Sequence, residues 1–274
     1  MLVSTPEACK LALENDIDVL WIGARTTANP FAVQEIADTL KGTDKIVLIK
    51  NPVNPDMALW LGGVERLHAA GIEKLGVIHR GFSTYEKTKY RNIPEWQIPI
   101  ELQNKFPDLP LIIDPSHITG NRNMILEVTQ EALDLNYDGM IIETHIDPDN
   151  AWSDAAQQVT PDALKQILKD LKIRNQHSDA DEYTSKMAKL RANIDVLDAN
   201  LLELLGKRMK VADQIGQVKK DANVAVLQSN RWVEIQEKMI AEGAKKGLTQ
   251  EFITKLFKEI HQESIGHQEK IING

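Results

Sequence analysis

Five short apolar runs in the first two-thirds of the chain each end in a reactive side chain. Ile22 is followed by Arg25, Ile49 by Lys50, Ile78 by His79 and Arg80, Ile113 by Asp114 and His117, and Ile142 by Glu143. In parallel α/β architectures the C-terminal ends of the strands face the site. Arg25, Lys50 and Arg80 suit a substrate that carries phosphate and carboxylate, because Arg offers forked bonds and Lys a point charge. His117, Glu143 and Asp154 offer one imidazole and two carboxylates, a donor set suited to a divalent metal. Taken singly, His117 is as well explained as a capped core histidine and Asp154 as an N-cap or a solvated loop acid. The succession of strand ends favours the functional reading.

The last third carries a second group. Arg208 and Lys219 are 11 residues apart in a segment of helical periodicity. At ~100° per residue they lie within ~20° of each other on one face, about 16 Å apart. Arg191 precedes Arg208 by 17 residues, which turns it roughly 100° around the helix. It does not serve the same site from that face, but in a dimer it reaches the partner's site. Ser264 and Gln268 form an i, i+4 pair in line with Leu256, Phe257 and Ile260, and such polar groups need partners when buried. Arg231 opens the middle helix of this region. The bland alternative is a coiled-coil-like bundle with these cations on its solvated flank.

Composition bounds what surrounds these groups. With 274 residues, 42% apolar and 26% charged, the chain has the size of two soluble domains. It has no apolar run of the ~18–20 residues that cross a bilayer, and no basic-then-apolar leader at the N-terminus. Cys9 stands alone, which excludes an internal disulfide framework and a Cys-rich zinc module, so a cytoplasmic setting is expected. Residues 1–177 hold 17 Lys and Arg against 25 Asp and Glu, and residues 178–274 hold 15 of each. Neither part carries the basic footprint of a nucleic-acid binder. An anionic substrate must therefore be held by a few placed cations.

The elements that must position the first group follow a strand-then-helix rhythm. Apolar runs at 17–22, 46–49, 75–78, 111–113 and 140–142 recur about every 30 residues, the length of one βα unit. Thr5-Pro6, Asn54-Pro55-Asp56 and Thr160-Pro161 each offer a capping side chain beside a proline that starts a helix. The expected class is α/β. A closed barrel needs eight strands in about 250 residues, and five are counted in the first 174. Either the sheet is open, or the first strands of a barrel are missing from this chain. A polar stretch over 175–183 reads as a linker between domains at 1–174 and 184–274. Beyond it the strand signal stops. Met187, Leu190, Ile194, Leu197, Leu201, Leu204, Val211, Ile215 and Val218 fall at three- and four-residue steps, giving one helix of roughly 35 residues. Further helices are expected over 229–245 and 249–272. So long an apolar stripe implies a dimer or bundle.

Local motifs add a resemblance. Trp-Ile-Gly-Ala-Arg-Thr-Thr at 21–27, Val-Ile-His-Arg-Gly at 77–81, Ile-Asp-Pro-Ser-His at 113–117 and Ile-Glu-Thr-His at 142–145 resemble the 3-deoxy-7-phosphoheptulonate (DAHP) synthases of the shikimate pathway, in the subgroup often fused to a chorismate mutase. The resemblance covers about residues 6–172. It implies a (β/α)8 barrel that joins phosphoenolpyruvate to erythrose 4-phosphate with a divalent metal, Mn2+ or similar. It also implies that Arg25 and Arg80 hold the phosphate of phosphoenolpyruvate, that Lys50 meets its carboxylate end, and that His117, Glu143 and Asp154 are metal ligands. The family's Gly-Pro-Cys motif, which supplies a fourth ligand, and its Lys-Pro-Arg-Thr loop do not occur in these residues. Cys9 lies on an expected helix and reads as a small buried residue. The expectation is a truncated chain or, if the chain is complete, one without synthase activity. Related synthases that join phosphoenolpyruvate to other sugars form a further alternative.

Leu190-Arg191, Lys207-Arg208, the run Gly-Gln-Val-Lys at 216–219, Arg231, Ser264 and Gln268 resemble the all-helical chorismate mutases over about residues 184–272. The resemblance implies an intertwined homodimer that rearranges chorismate to prephenate without a cofactor. In it Lys219 and Gln268 bond the breaking ether oxygen. Arg208 and Arg191 of the partner subunit hold the two carboxylates, Arg231 assists, and Ser264 contacts substrate. Two positions depart from the enteric members. Trp232 stands where they carry a glutamate that contacts the substrate hydroxyl, and Gln228, taken here as substrate-binding, replaces an aspartate. The expected protein is thus a synthase fused to a mutase, in which prephenate bound at the mutase site slows the barrel. In the alternative the barrel is inactive, and the helical domain acts as a mutase or as a prephenate-sensing dimerisation module.

Overall fold

The computed structural model of the chain describes residues 1–273 except 86, 176, 177, 179 and 228, with backbone alone at 229–234 and 236. The chain forms two compact units, Met1–Gln176 and His177–Gly274.

The first unit runs β1 (Leu2–Val3), α1 (Pro6–Glu14), β2 (Val19–Ile22), α2 (Ala24–Thr27), α3 (Pro30–Leu40), β3 (Ile46–Lys50), α4 (Met57–Ala69), β4 (Leu75–His79), α5 (Gln97–Lys105), β5 (Leu111–Ile113), α6 (Pro115–Thr119), α7 (Ile125–Asp134), β6 (Gly139–Met140) and α8 (Pro161–Asp170). The six strands are all parallel, and their spatial order is their chain order, with β1 and β6 at the two ends of the sheet. A sheet wound in one direction has no switch point, so its right-handed crossovers stack their helices on one face, as in a barrel wall. Accordingly α1 packs on α3 and α3 on α4.

Six strands stand where five were expected. β1 pairs Leu2 with Trp21 and Val3 with Ile22. Two residues are too short a run to show a period, and only the pairing partner reveals the strand. At the other end the run at 140–142 leaves the sheet after Met140, and a parallel bridge between Thr144 and Val159 follows.

Capping explains the helix starts. Thr5 accepts from the backbone N–H of Ala8, and Thr160 from that of Ala163. At α4 the cap is Asp56, which accepts from Leu59 N, while Asn54 and Pro55 lie outside the helix. The core joins Leu20, Ile22, Val47, Ile49, Val77, Leu111 and Ile113 of the strands to Val33, Ile36, Leu40, Trp60 and Leu67 of the helices, all fully buried. Cys9 is buried among them, and burial with the charge of Glu7 pushes its thiol up to about 11. It is an inert packing residue at neutral pH.

The second unit consists of α9 (Asp181–Asp221), α10 (Ser229–Lys245) and α11 (Gln250–Asn273). With 41 residues, α9 is roughly 60 Å long. It begins inside the stretch read as linker, because Asp181 and Glu182 form an acidic first turn that complements the helix dipole. α11 packs along the C-terminal half of α9. There Gly216 permits the approach, since a Cβ at that position would lie 3.0 Å from the Cα of Gln268. Leu190, Ile194, Leu197, Leu201 and Leu204 on α9 are each half or more exposed. Among the described residues no helix is long and apolar enough to cross a membrane.

Candidate functional site

At the C-terminal ends of β3, β4 and β5 the first unit gathers a charged network. Lys50 ends β3, and its Nζ lies 2.6 Å from Oδ2 of Asp114, both side chains buried. Asp114 follows β5 and caps α6 by accepting from the backbone N–H of His117. Burial alone would raise its carboxyl. The hydrogen bond from His117 and the charge of Lys50 outweigh burial and hold it at about 2. Oδ1 of Asp114 is 3.1 Å from Nδ1 of His117, and the other ring nitrogen, Nε2, lies 3.7 Å from Oε1 of Glu143. A carboxylate behind an imidazole in this way orients the ring for a metal.

His117, Glu143 and Asp154 each present a ligand atom within 4.8 Å of the others'. One nitrogen and two carboxylate oxygens at that separation fit a hard or borderline divalent cation. Asp154 sits in a left-handed backbone conformation, φ 51°, just before a short 3-10 turn.

Beside this group lies a cationic one. Arg80 directly follows β4. Its backbone N–H donates to Oδ1 of Asn51, and its Nη1 donates to Oδ1 of Asn92 at 2.6 Å. Burial first, then the neighbouring charges of Arg91 and Arg25, lower its pKa against the opposing pull of Asp114. Arg25, exposed in α2, completes the set. Such a cluster of guanidinium groups is a place for a phosphate dianion.

Arg91, Asn51, Asn92 and Gln157 escape sequence reading. Arg91 and Asn92 lie in a polar segment far from any strand end, and Asn51 and Gln157 resemble ordinary loop residues. Only the pairing of Asn51 with Lys50 at a strand end offered a signal.

In the second unit Arg208, Lys219, Ser264 and Gln268 line one cavity of about 300 Å3 between α9 and α11, together with Ile215, Ile265 and His261. Lys219 Nζ donates to Gln268 Oε1 at 2.9 Å and also to the Val226 carbonyl. Arg208 Nη1 donates to Ser264 Oγ, and Ser264 passes a bond to the Ile260 carbonyl at 2.7 Å. Burial lowers the pKa of Arg208. The His261 imidazole is likewise lowered, by burial and then by the charges of Arg208 and Lys219. His261 was not anticipated from the sequence. Arg191, exposed on α9 about 25 Å along the axis from Arg208, does not enter this cavity in its own chain. Gln228, and the side chains of Arg231 and Trp232, lie outside the described residues.

Known proteins match the chain in two blocks. The DAHP synthetase I family matches residues 6–179, and chorismate mutase type II matches residues 190–269. Over 155 residues the chain is 28% identical to the phospho-2-dehydro-3-deoxyheptonate aldolase of Thermotoga maritima, covering 57% of this chain and 44% of that one. Over 83 residues it is 34% identical to the bifunctional chorismate mutase/prephenate dehydratase of Buchnera aphidicola, covering 30% of this chain and 22% of that one. A solved truncated form of 3-deoxy-D-arabino-heptulosonate 7-phosphate synthase from Thermotoga maritima superposes with a TM-score of 0.55 at 25% identity, covering 62% of both chains. The chain thus spans less than half the length of the curated Thermotoga relative.

Proposed function

Because the chain belongs to the DAHP synthetase I family and carries a chorismate mutase type II domain at 190–269, we propose that it serves aromatic amino acid biosynthesis through two sites, a phosphoenolpyruvate- and metal-binding synthase site and a chorismate mutase site.

The mutase reading rests on one observation: Arg208, Lys219, Ser264 and Gln268 converge on a single cavity. Chorismate carries two carboxylates and an ether oxygen whose bond to carbon breaks as a new carbon–carbon bond forms. The rearrangement needs no nucleophile, and its rate comes from holding a compact conformer and stabilising charge on that oxygen. Lys219 and the amide of Gln268, already joined at 2.9 Å, are the donors for the oxygen. Arg208, held by Ser264, binds one carboxylate. The other falls to Arg191 of the partner subunit, in a homodimer formed through the exposed apolar stripe of α9. Arg231 and Gln228 complete the reading from the sequence. The decisive assay is conversion of chorismate to prephenate by the chain as it stands. No turnover above the uncatalysed rate would overturn the assignment.

In the first unit, Arg25 and Arg80 hold the phosphate of phosphoenolpyruvate and Lys50 its carboxylate. Lys50 is fixed in place by its ion pair with buried Asp114. His117, Glu143 and Asp154 hold a divalent cation such as Mn2+. A cation held there supplies Lewis-acid polarisation of the aldehyde of erythrose 4-phosphate. The network from Lys50 through Asp114 to His117 keeps the phosphoenolpyruvate end and the cation end in fixed register. The mutase domain favours the heptulosonate reaction over that of the 2-dehydro-3-deoxyphosphooctonate aldolases, one of which, from Legionella pneumophila, matches 48% of the chain at 26% identity. Calorimetric titration with phosphoenolpyruvate tests this half, and absence of binding would sink it.

A further inference from the structure

Arg91 bonds one proposed cation ligand, Asp154, directly and reaches a second, Glu143, through Gln157. Its Nη1 donates to Asp154 Oδ1 and to Gln157 Oε1, each at 2.6 Å. Gln157 is fully buried, and its amide nitrogen donates at 2.7 Å to Oε2 of Glu143. One oxygen of each carboxylate is therefore tied back, through one guanidinium and one amide. The untied oxygen of Glu143, Oε1, is the one that faces Nε2 of His117 at 3.7 Å.

The stem of Arg91 is seated as well. It lies across Gly120, the left-handed cap of α6, where a Cβ would come within 2.7 Å of the Arg91 Cβ. The next residue, Asn92, donates its side-chain amide to the His117 carbonyl at 2.7 Å. The segment thus grips the helix that carries His117 on one side and the turn that carries Asp154 on the other.

Resting on the metal reading above, we propose that Arg91 and Gln157 form a strut that sets the spacing and aim of the two carboxylates, making both positioning residues for the divalent cation. Asp154 in its left-handed conformation has little of its own to hold its carboxylate in place. A bond from the Nη1 of a seated side chain to Asp154 Oδ1 supplies that, and partners of metal ligands commonly change metal affinity about 10- to 100-fold. Two rival roles make different predictions. If Arg91 merely competes with the cation for Asp154, its removal tightens binding. If Gln157 merely fills space, an isosteric apolar residue in its place changes nothing.

The test is titration of the full chain with Mn2+, followed by calorimetry and by the Mn2+ electron paramagnetic resonance signal, for the unsubstituted protein, Arg91→Met, Gln157→Met and the double variant. Arg91→Met keeps the stem on Gly120, and Gln157→Met keeps the buried volume. The expected result is at least ~10-fold weaker Mn2+ binding for each single variant. The double variant should lose little more than either, because both lie in one connected chain of bonds. Unchanged or tighter binding in Gln157→Met overturns the strut even if Arg91→Met fails to fold. Failure of the unsubstituted chain to bind Mn2+ overturns the metal reading and the strut with it, whereas equal affinities among the folded proteins overturn the strut alone.

Discussion

Lys219 on α9 and Gln268 on α11 meet at 2.9 Å beside Gly216, the residue that lets the two helices close on each other. Lys219 donates to the amide oxygen of Gln268, whose amide nitrogen donates to the Ser264 carbonyl, so a cation and an amide N–H group stand side by side at the cavity wall. Lys219→Ala is expected to lower chorismate turnover by at least ~10²-fold, the scale of one lost donor to a developing oxyanion. The thermal midpoint of the protein should change little. Loss of chorismate absorbance under saturating substrate measures it, and a variant with near-normal turnover would remove Lys219 from the site.

The exposed stripe of Leu190, Ile194, Leu197, Leu201 and Leu204 is the apolar surface through which the proposed homodimer forms. Arg191→Ala and Lys219→Ala chains should each be nearly inactive alone. Mixed in equal amounts and allowed to exchange, they should recover up to about a quarter of the original activity. Half the dimers are then mixed, and each of these has one intact site. No recovery despite exchange seen by mass spectrometry would mean that Arg191 does not act across the interface.

Lys50 and Asp114 form a buried ion pair. Lys50→Ala leaves the buried Asp114 carboxylate with only its bonds to His117, and breaking such a pair costs about 3–5 kcal/mol. The urea midpoint of the first unit should fall accordingly, with loss of phosphoenolpyruvate binding. Adding Asp114→Asn should recover part of the stability and none of the binding. A single variant as stable as the parent would show that the carboxylate is solvated or otherwise satisfied.

His79 sits among the rings of Trp60, Phe82, Trp96 and Tyr137, with Nδ1 2.8 Å from the Tyr137 hydroxyl. Burial, the largest influence, pushes its imidazole down to about 3. The folded protein refuses a proton that the unfolded chain takes up below about 6.5. Stability is therefore full above that value and declines as pH falls from about 6.5 toward about 3, by at most ~1.4 kcal/mol per pH unit for this group. Urea unfolding followed by tryptophan fluorescence at pH 7 and pH 5 should show the decline, and His79→Phe should flatten it. An equally steep variant would place the pH dependence elsewhere.

Much of the site was legible because its residues fall at two regular places. Lys50, Arg80 and His117 follow strands whose apolar runs show in the sequence, and Lys219, Ser264 and Gln268 fall on helical periods. Arg91 and Gln157 were not legible. One lies in the polar segment after β4 and the other in a short turn after β6. Their significance arises only when the chain brings residues 91, 154 and 157 together, a contact that no local pattern encodes. His261 was passed over for a related reason. A histidine on a helix gains meaning only when the opposite wall, here Arg208 and Lys219, is in place.

Amino-acid order alone pointed to the two-part division, the parallel α/β character of one part and the helical character of the other, because short apolar runs, the 3.6 period and the capping of helix starts are local properties of the chain. Folding in three dimensions settled the rest. It added β1 through pairing with β2, tied Asp154 to the Arg91 guanidinium and Glu143 to it through the Gln157 amide, and joined Lys219 to Gln268 across a glycine contact. These depend on distances between segments far apart in the chain, which are set by packing the whole core and not by any residue's neighbours.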